Sequence, residues 1–248
     1  MNLNKEKFQN IINNYKEIID VESVGTLKEK TLHKIVKNYL EEDINNQEVK
    51  VGPYFVDIFK DGKIIEIQTR QFNTLRKKLE FLLKDYDVTI CYPTFYNKTI
   101  KWINEDTHIL EDTRKSPKKG SIYDAFFELY KIKQLLLNPR LNLKILLIDL
   151  EEYRLLNGWS KDKKRGSYRH DQIPVDLIDE VDIHELKDYK KFIPNNLETQ
   201  FTSKDYAKAT KLRLKRAQIA LNVLRYLDII ELVGKDSRLN LYSIKNKK

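Results

Sequence analysis

Apolar residues recur with two periods along this chain. At residues 5–20, Phe8, Ile11, Ile12, Tyr15, Ile18 and Ile19 fall three or four positions apart, the spacing that lines one face of a helix. After a break at 22–25, residues 26–40 repeat the pattern with Leu32, Ile35, Val36, Tyr39 and Leu40. Glu29 stands one turn before Leu32, which puts an acid on the apolar face, and His33 flanks that face. The period then drops to two. Residues 47–51, 54–60 and 63–69 alternate as strands do, and Asp61-Gly62 between two alternating runs is a strong hairpin signal.

Helical spacing returns at 72–84, with Phe72, Leu75, Leu79, Leu82 and Leu83 inward. A short apolar strand at 88–92 is predicted to end at Pro93, and residues 98–103 read as another. Ser121 is placed as the N-cap of a helix running to about Leu137, closed by Asn138-Pro139. Residues 143–150, LKILLIDL, form a core strand, and 157–174 a long polar loop. From about Asn195 the pattern is a short helix at 202–208, a turn, a helix at 213–227 with Leu214, Ala217, Leu221, Leu224 and Leu227 inward, and a hairpin at 229–244. That is the order of a winged helix-turn-helix.

The hairpin at 54–70 raises an electrostatic problem. With Asp61-Gly62 as the loop, pairing runs outward and sets Asp57 opposite Glu66, with Gln68 on the same face. Two carboxylates about 5 Å apart repel by roughly 3 kcal/mol at an effective dielectric of about 20. A hard divalent cation would relieve that repulsion, because it prefers carboxylate oxygens. Pairing of both acids with surface Lys or Arg is the plainer alternative.

Composition narrows the partner. The 248 residues hold 46 Lys and Arg against 37 Asp and Glu, a net charge of +9 that favours a polyanion. One cysteine, Cys91, leaves no internal disulfide and no cysteine-based zinc site, and the seven glycines form no phosphate loop. The first twenty residues lack the apolar core of a signal peptide, so a cytoplasmic location is expected.

An acid on a first helix, then Asp57 and Glu66-Ile67-Gln68 on neighbouring strands, then a helix and a strand, resembles the PD-(D/E)XK nuclease superfamily. The resemblance spans residues 20–105 and extends weakly to 156. It implies an α/β fold, a restriction-endonuclease-like mixed sheet flanked by helices over 1–190, with a small winged-helix domain at 191–248. It also implies a Mg²⁺ (or Mn²⁺) ion held by Asp57, Glu66 and the carbonyl of Ile67, a helix-borne acid in Glu29, and hydrolysis of DNA phosphodiesters. Val56 stands at the motif's proline and Gln68 at its lysine. The lysine's role, orienting or polarising the attacking water, then falls to Gln68 or to Lys77 or Lys78 on the next helix.

Basic residues give the second signal. Lys211, Arg213, Lys215, Arg216 and Gln218 crowd the start of the longer C-terminal helix, where helix-turn-helix proteins contact base edges and phosphates. Arg225 and, from the wing, Arg238 add backbone contacts. Lys164 and Arg165, among the aromatics and cations of 157–170, suit a nucleic-acid backbone. Asp149, Glu151 and Glu152 are weaker candidates for further acids. The expected activity is a restriction, defence or repair endonuclease, as a homodimer if both strands are cut. The competing expectation is a non-catalytic DNA-binding regulator on the same fold.

Overall fold

A computed structural model describes residues 4–18, 31–104, 107, 109–159 and 165–245. Its elements run α1 (Lys5–Ile18), α2 (Thr31–Leu40), β1 (Gln47–Val51), β2 (Tyr54–Lys60), β3 (Lys63–Ile67), α3 (Arg76–Leu82), β4 (Asp87–Ile103), β5 (Leu110–Lys115), α4 (Phe126–Leu129), β6 (Leu141–Trp159), β7 (Arg165–Ile183), β8 (Gln200–Thr202), α5 (Ser203–Thr210), α6 (Leu214–Tyr226), β9 (Ile230–Asp236) and β10 (Leu239–Ile244). A large mixed sheet flanked by helices takes seven strands in the order β1-β2-β3-β4-β6-β7, with β5 on β4; β8-β10-β9 form a second sheet. No described helix is long and apolar enough to cross a membrane.

The chain forms two compact units. The first holds Met1–Phe59, Pro93–Ser121 and Leu146–Glu180, and the second Lys60–Tyr92, Ile122–Ile145 and Val181–Lys248. The C-terminal helices share the second unit with 60–92 and 122–145.

In the first unit, Phe8 on α1 meets Tyr39 on α2 edge to face, with ring centroids 5.2 Å apart. Both helices reach β7, because Gln9 donates to the Val175 carbonyl at 2.7 Å and the Tyr39 hydroxyl to Glu180 at 3.2 Å. β1 and β2 pair antiparallel, with Val49 opposite Val56.

In the second unit, β3 runs parallel to the start of β4, with Glu66 beside Ile90 and Ile67 beside Cys91. The β2–β3 loop is Asp61-Gly62, as expected. Both residues have positive φ, 49° and 73°, which a two-residue hairpin turn of this type requires. The buried Glu128 carboxylate accepts from the Phe72 amide at 2.9 Å and so fixes the start of the 3₁₀ turn leading into α3. Phe126 and Phe192 pack with centroids 4.7 Å apart, and the Tyr206 hydroxyl donates to the Phe192 carbonyl at 3.0 Å. Thr202 and Asp205 form a reciprocal capping box at the start of α5.

Several boundaries depart from expectation. β4 continues through Pro93 for 17 residues and absorbs the strand foreseen at 98–103, proline's fixed φ being compatible with extended backbone. The helix expected at 121–137 is mostly 3₁₀, kinked at Ile132, with one α turn at Phe126–Leu129. The loop foreseen at 157–174 is largely strand, β6 ending at Trp159 and β7 starting at Arg165. Polar, aromatic and β-branched residues there satisfy a strand as well as a loop. Leu214 is 40% exposed rather than inward, since it opens α6 before the helix reaches its packed turns.

Candidate metal centre and nucleic-acid interface

In the first unit, Asp57 sits on β2 between the buried Val56 and Ile58, half-buried on the alternate face. His33, from the first turn of α2, places Nε2 3.4 Å from Asp57 Oδ2. The histidine read as flanking an apolar face is thus a direct neighbour of a predicted metal ligand. Glu29 lies outside the described residues.

In the second unit, Glu66 is 3% exposed on β3. A buried carboxylate needs a cation or hydrogen bonds to stay ionised. Lys78 supplies one: α3 brings its Nζ to 2.6 Å from Oε1 and 2.7 Å from Oε2 of Glu66. Ile67 is buried beside it. The side chain of Gln68 is directed elsewhere, its amide donating to the Arg70 carbonyl at 2.6 Å. Of the two helix lysines named in the sequence, Lys78 reaches the acid and Lys77 is exposed. Among the described residues, no three His, Cys, Asp or Glu side chains gather as a metal cluster.

The α5–α6 turn is made by Lys211 in the left-handed region, φ 57°. Arg213 is the N-cap of α6, and Lys211, Arg213, Lys215 and Gln218 are exposed. At 100° per residue, Lys215, Gln218, Asn222 and Arg225 share one side of α6. Arg216 does not join them. It binds the Asp124 carboxylate and lies 5.7 Å from the Phe127 ring, on the packed side of the helix. Arg238 is exposed beside the β9–β10 turn, where Ser237 has φ 55°.

The same side of α6 borders a groove of about 490 Å³ lined by Lys133, Gln218, Asn222, Arg225, Asn240 and Tyr242, among others. Lys133 donates to Asn222 Oδ1 at 3.0 Å and lies 4.8 Å from the Tyr226 ring. Its part in this groove carries no sequence signal, because it comes from a segment far away in the chain. Lys164 lies outside the described residues, and Arg165 opens β7.

Glu152 is the other acid with an unusual setting. It is fully buried on β6 and accepts from Lys98 at 2.9 Å, Arg154 at 2.8 Å and Gln172 at 3.2 Å, with Arg169 at 3.3 Å. Burial pushes its carboxyl up; the Lys98 hydrogen bond, the charges of Arg169 and Lys98 and the Arg154 hydrogen bond outweigh burial and hold it below the usual carboxylate range. Three cations around one acid make it a structural ion cluster within the first unit, not a spare metal ligand.

Residues 30–184 match the family described as a domain of unknown function, DUF8091. An uncharacterized protein of Treponema pallidum (strain Nichols) is 31% identical over 149 residues, 60% of this chain and 57% of that protein, so the chain spans little more than half the length of this relative. No solved structure matches.

Proposed function

This chain belongs to the DUF8091 family, and we propose that it is a Mg²⁺- or Mn²⁺-dependent DNA endonuclease of the PD-(D/E)XK type, brought to DNA by a winged helix-turn-helix near its C-terminus. The observation that carries the reading is the chelation of Glu66 by Lys78, a lysine on the helix that follows the acid-bearing strand. A nuclease of this type needs both an acid on that strand and a cation beside it, and Gln68 cannot be that cation.

By the register expected from the sequence, Asp57 and Glu66 would be the two carboxylates that hold the ion, with the Ile67 carbonyl as a third oxygen. These are hard donors of the kind Mg²⁺ takes. A bound ion would supply Lewis-acid chemistry there, lowering the pKa of a water and stabilising charge on the phosphate. Lys78 would orient that water or polarise the phosphate, His33 beside Asp57 would keep that carboxylate in place, and Glu29, outside the described residues, is the further acid that the family resemblance implies. The helix–turn–helix of α5 and α6, with β8 completing the β9–β10 sheet, supports the winged-helix reading. Lys211, Arg213, Lys215 and Gln218 then face DNA, with Arg238 on the wing. A second copy of the chain would supply the cut on the other strand.

The test is cleavage of supercoiled plasmid with Mg²⁺ or Mn²⁺. Asp57→Ala and Glu66→Ala should each lower the rate by about a hundredfold or more, in line with loss of electrostatic transition-state stabilisation, while DNA binding persists. A double variant that cuts like the parent protein sinks the site. A second reading, a DNA-binding regulator without catalysis, is favoured by the Gln68 side chain, whose amide donates to the Arg70 carbonyl instead of standing in for the motif's lysine. Retained DNA binding with no metal-dependent cleavage would select it.

A further inference from the structure

The proposed cleavage site and the α6 face leave the basic segment 112–120 without a role. Its sequence, DTRKSPKKG, sets four cations against one acid. It belongs to the first unit and is not a loose loop. β5 pairs antiparallel with the second half of β4, Thr99 opposite Lys115, Ile100 opposite Arg114 and Trp102 opposite Asp112. Beyond β5 the Ser116 amide donates to the Lys98 carbonyl at 2.7 Å, and the Gly120 amide to the Tyr96 carbonyl at 2.9 Å. A Cβ on Gly120 would stand 1.8 Å from the Phe95 carbonyl oxygen, so only glycine lets the backbone come this close. The ribbon is therefore laced to β4 along most of its length.

This lacing fixes the cations on aromatic rings. Arg114 lies 5.2 Å from the Trp102 ring, Lys118 lies 5.2 Å and Lys98 4.9 Å from the Phe95 ring, and Lys119 lies 5.2 Å from the Tyr96 ring. Arg114, Lys115, Lys118 and Lys119 are all exposed. A cation on an exposed ring gains only about 0.5–1 kcal/mol, too little to offset the mutual repulsion of a row of like charges. The rings position these cations without neutralising them; of the two acids on β5, Asp112 accepts from the Thr113 amide and Glu111 from the Asn104 side chain.

We propose that the β5 ribbon, residues 112–120, is a second nucleic-acid surface that binds the phosphate backbone of DNA without reading sequence. The inference rests on the reading above only for the identity of the partner, not for its chemistry. Four exposed cations within six residues, held to β4 by backbone hydrogen bonds and rings, fit a phosphate backbone. An anionic bilayer would also attract these charges, but among the described residues flanking the ribbon in sequence the exposed aliphatics are Ile109 and Leu110, far short of the apolar face of an interfacial helix.

The experiment is fluorescence anisotropy of a labelled duplex with the full chain across a salt series. Arg114→Gln/Lys118→Gln/Lys119→Gln should weaken binding by about tenfold or more at low salt and reduce the slope of log K against log salt by about 2–3, near 0.9 for each phosphate that is no longer neutralised. Lys118→Arg/Lys119→Arg should keep both, which separates charge from folding. Adding the changes to Lys211→Gln/Arg213→Gln/Lys215→Gln should deepen the loss, because the α6 face binds DNA separately. A triple variant with parental affinity and slope overturns the proposal, whatever the α6 variant does. So does loss of binding to phosphatidylserine vesicles with DNA binding intact. None of these readouts needs turnover, so failure of the cleavage reading leaves them informative.

Discussion

The ammonium of Lys78 is shared between both carboxylate oxygens of Glu66, at 2.6 and 2.7 Å, at a position where the acid is 3% exposed. A buried ion pair is weakly stabilising as a unit, but removing one partner strands the other charge. Lys78→Met should therefore destabilise the fold by about 3–5 kcal/mol in urea titrations at neutral pH. Lys78→Met with Glu66→Leu should recover most of it, since both members of the buried pair are then replaced by apolar side chains. A single variant as stable as the parent would show that this pair does not hold the fold.

Glu152 gives the acid side of the stability curve. Its folded pKa is depressed, so its contribution is fully present above the unfolded carboxylate value, about 4.3, and is lost as pH falls through the lower folded value. Glu152→Gln should cost several kcal/mol at pH 7, about 3–5 by the usual cost of breaking a buried pair, because Lys98, Arg154 and Arg169 lose their counter-charge. The variant and the parent should converge as pH drops below the ordinary carboxylate range. Urea midpoints measured against pH check this; parallel curves through the acid limb would refute it.

The hairpin and the C-terminal helices were legible because their signals are local. Asp61-Gly62 names its own turn, and Thr202 with Asp205 names the start of α5. The run 143–150 marked a core strand for the same reason, an unbroken apolar stretch. What stayed hidden depends on partners distant in the chain. Nothing in residues 121–137 distinguishes a 3₁₀ path from an α-helix, because the kink at Ile132 is set by packing of the segment, as Glu128 reaches the Phe72 amide. Arg216 looked like its basic neighbours, yet Asp124, more than ninety positions earlier, draws it to the packed side of α6. Glutamine in place of lysine at position 68 was visible, and so were Lys77 and Lys78; only the fold decides between the two helix residues, by which one faces β3.

Tyr206 is one of the buried phenols that should oppose unfolding of the second unit's core until high pH. It is fully buried on α5, its ring lies 6.2 Å from that of Tyr123, and its hydroxyl donates to the Phe192 carbonyl at 3.0 Å. Burial, with a smaller contribution from Tyr123, pushes the phenol far above its ordinary value. For a group with a raised folded pKa, stability is complete below the unfolded value, about 10, and falls as pH rises beyond it. Tyr206 should therefore stay un-ionised in a spectrophotometric titration until the protein unfolds. Tyr206→Phe should lose one hydrogen bond and leave the Phe192 carbonyl without this donor, a cost of about 1–2 kcal/mol at pH 7. The same variant should unfold less steeply above pH 10, since one proton-linked step is gone, while Tyr189, also raised by burial, keeps part of the slope. Because α5 carries this anchor and precedes the exposed cations of α6, the variant should bind DNA normally at temperatures well below its melting point. Weakened binding there would show that the hydroxyl positions α6 and does more than hold the fold.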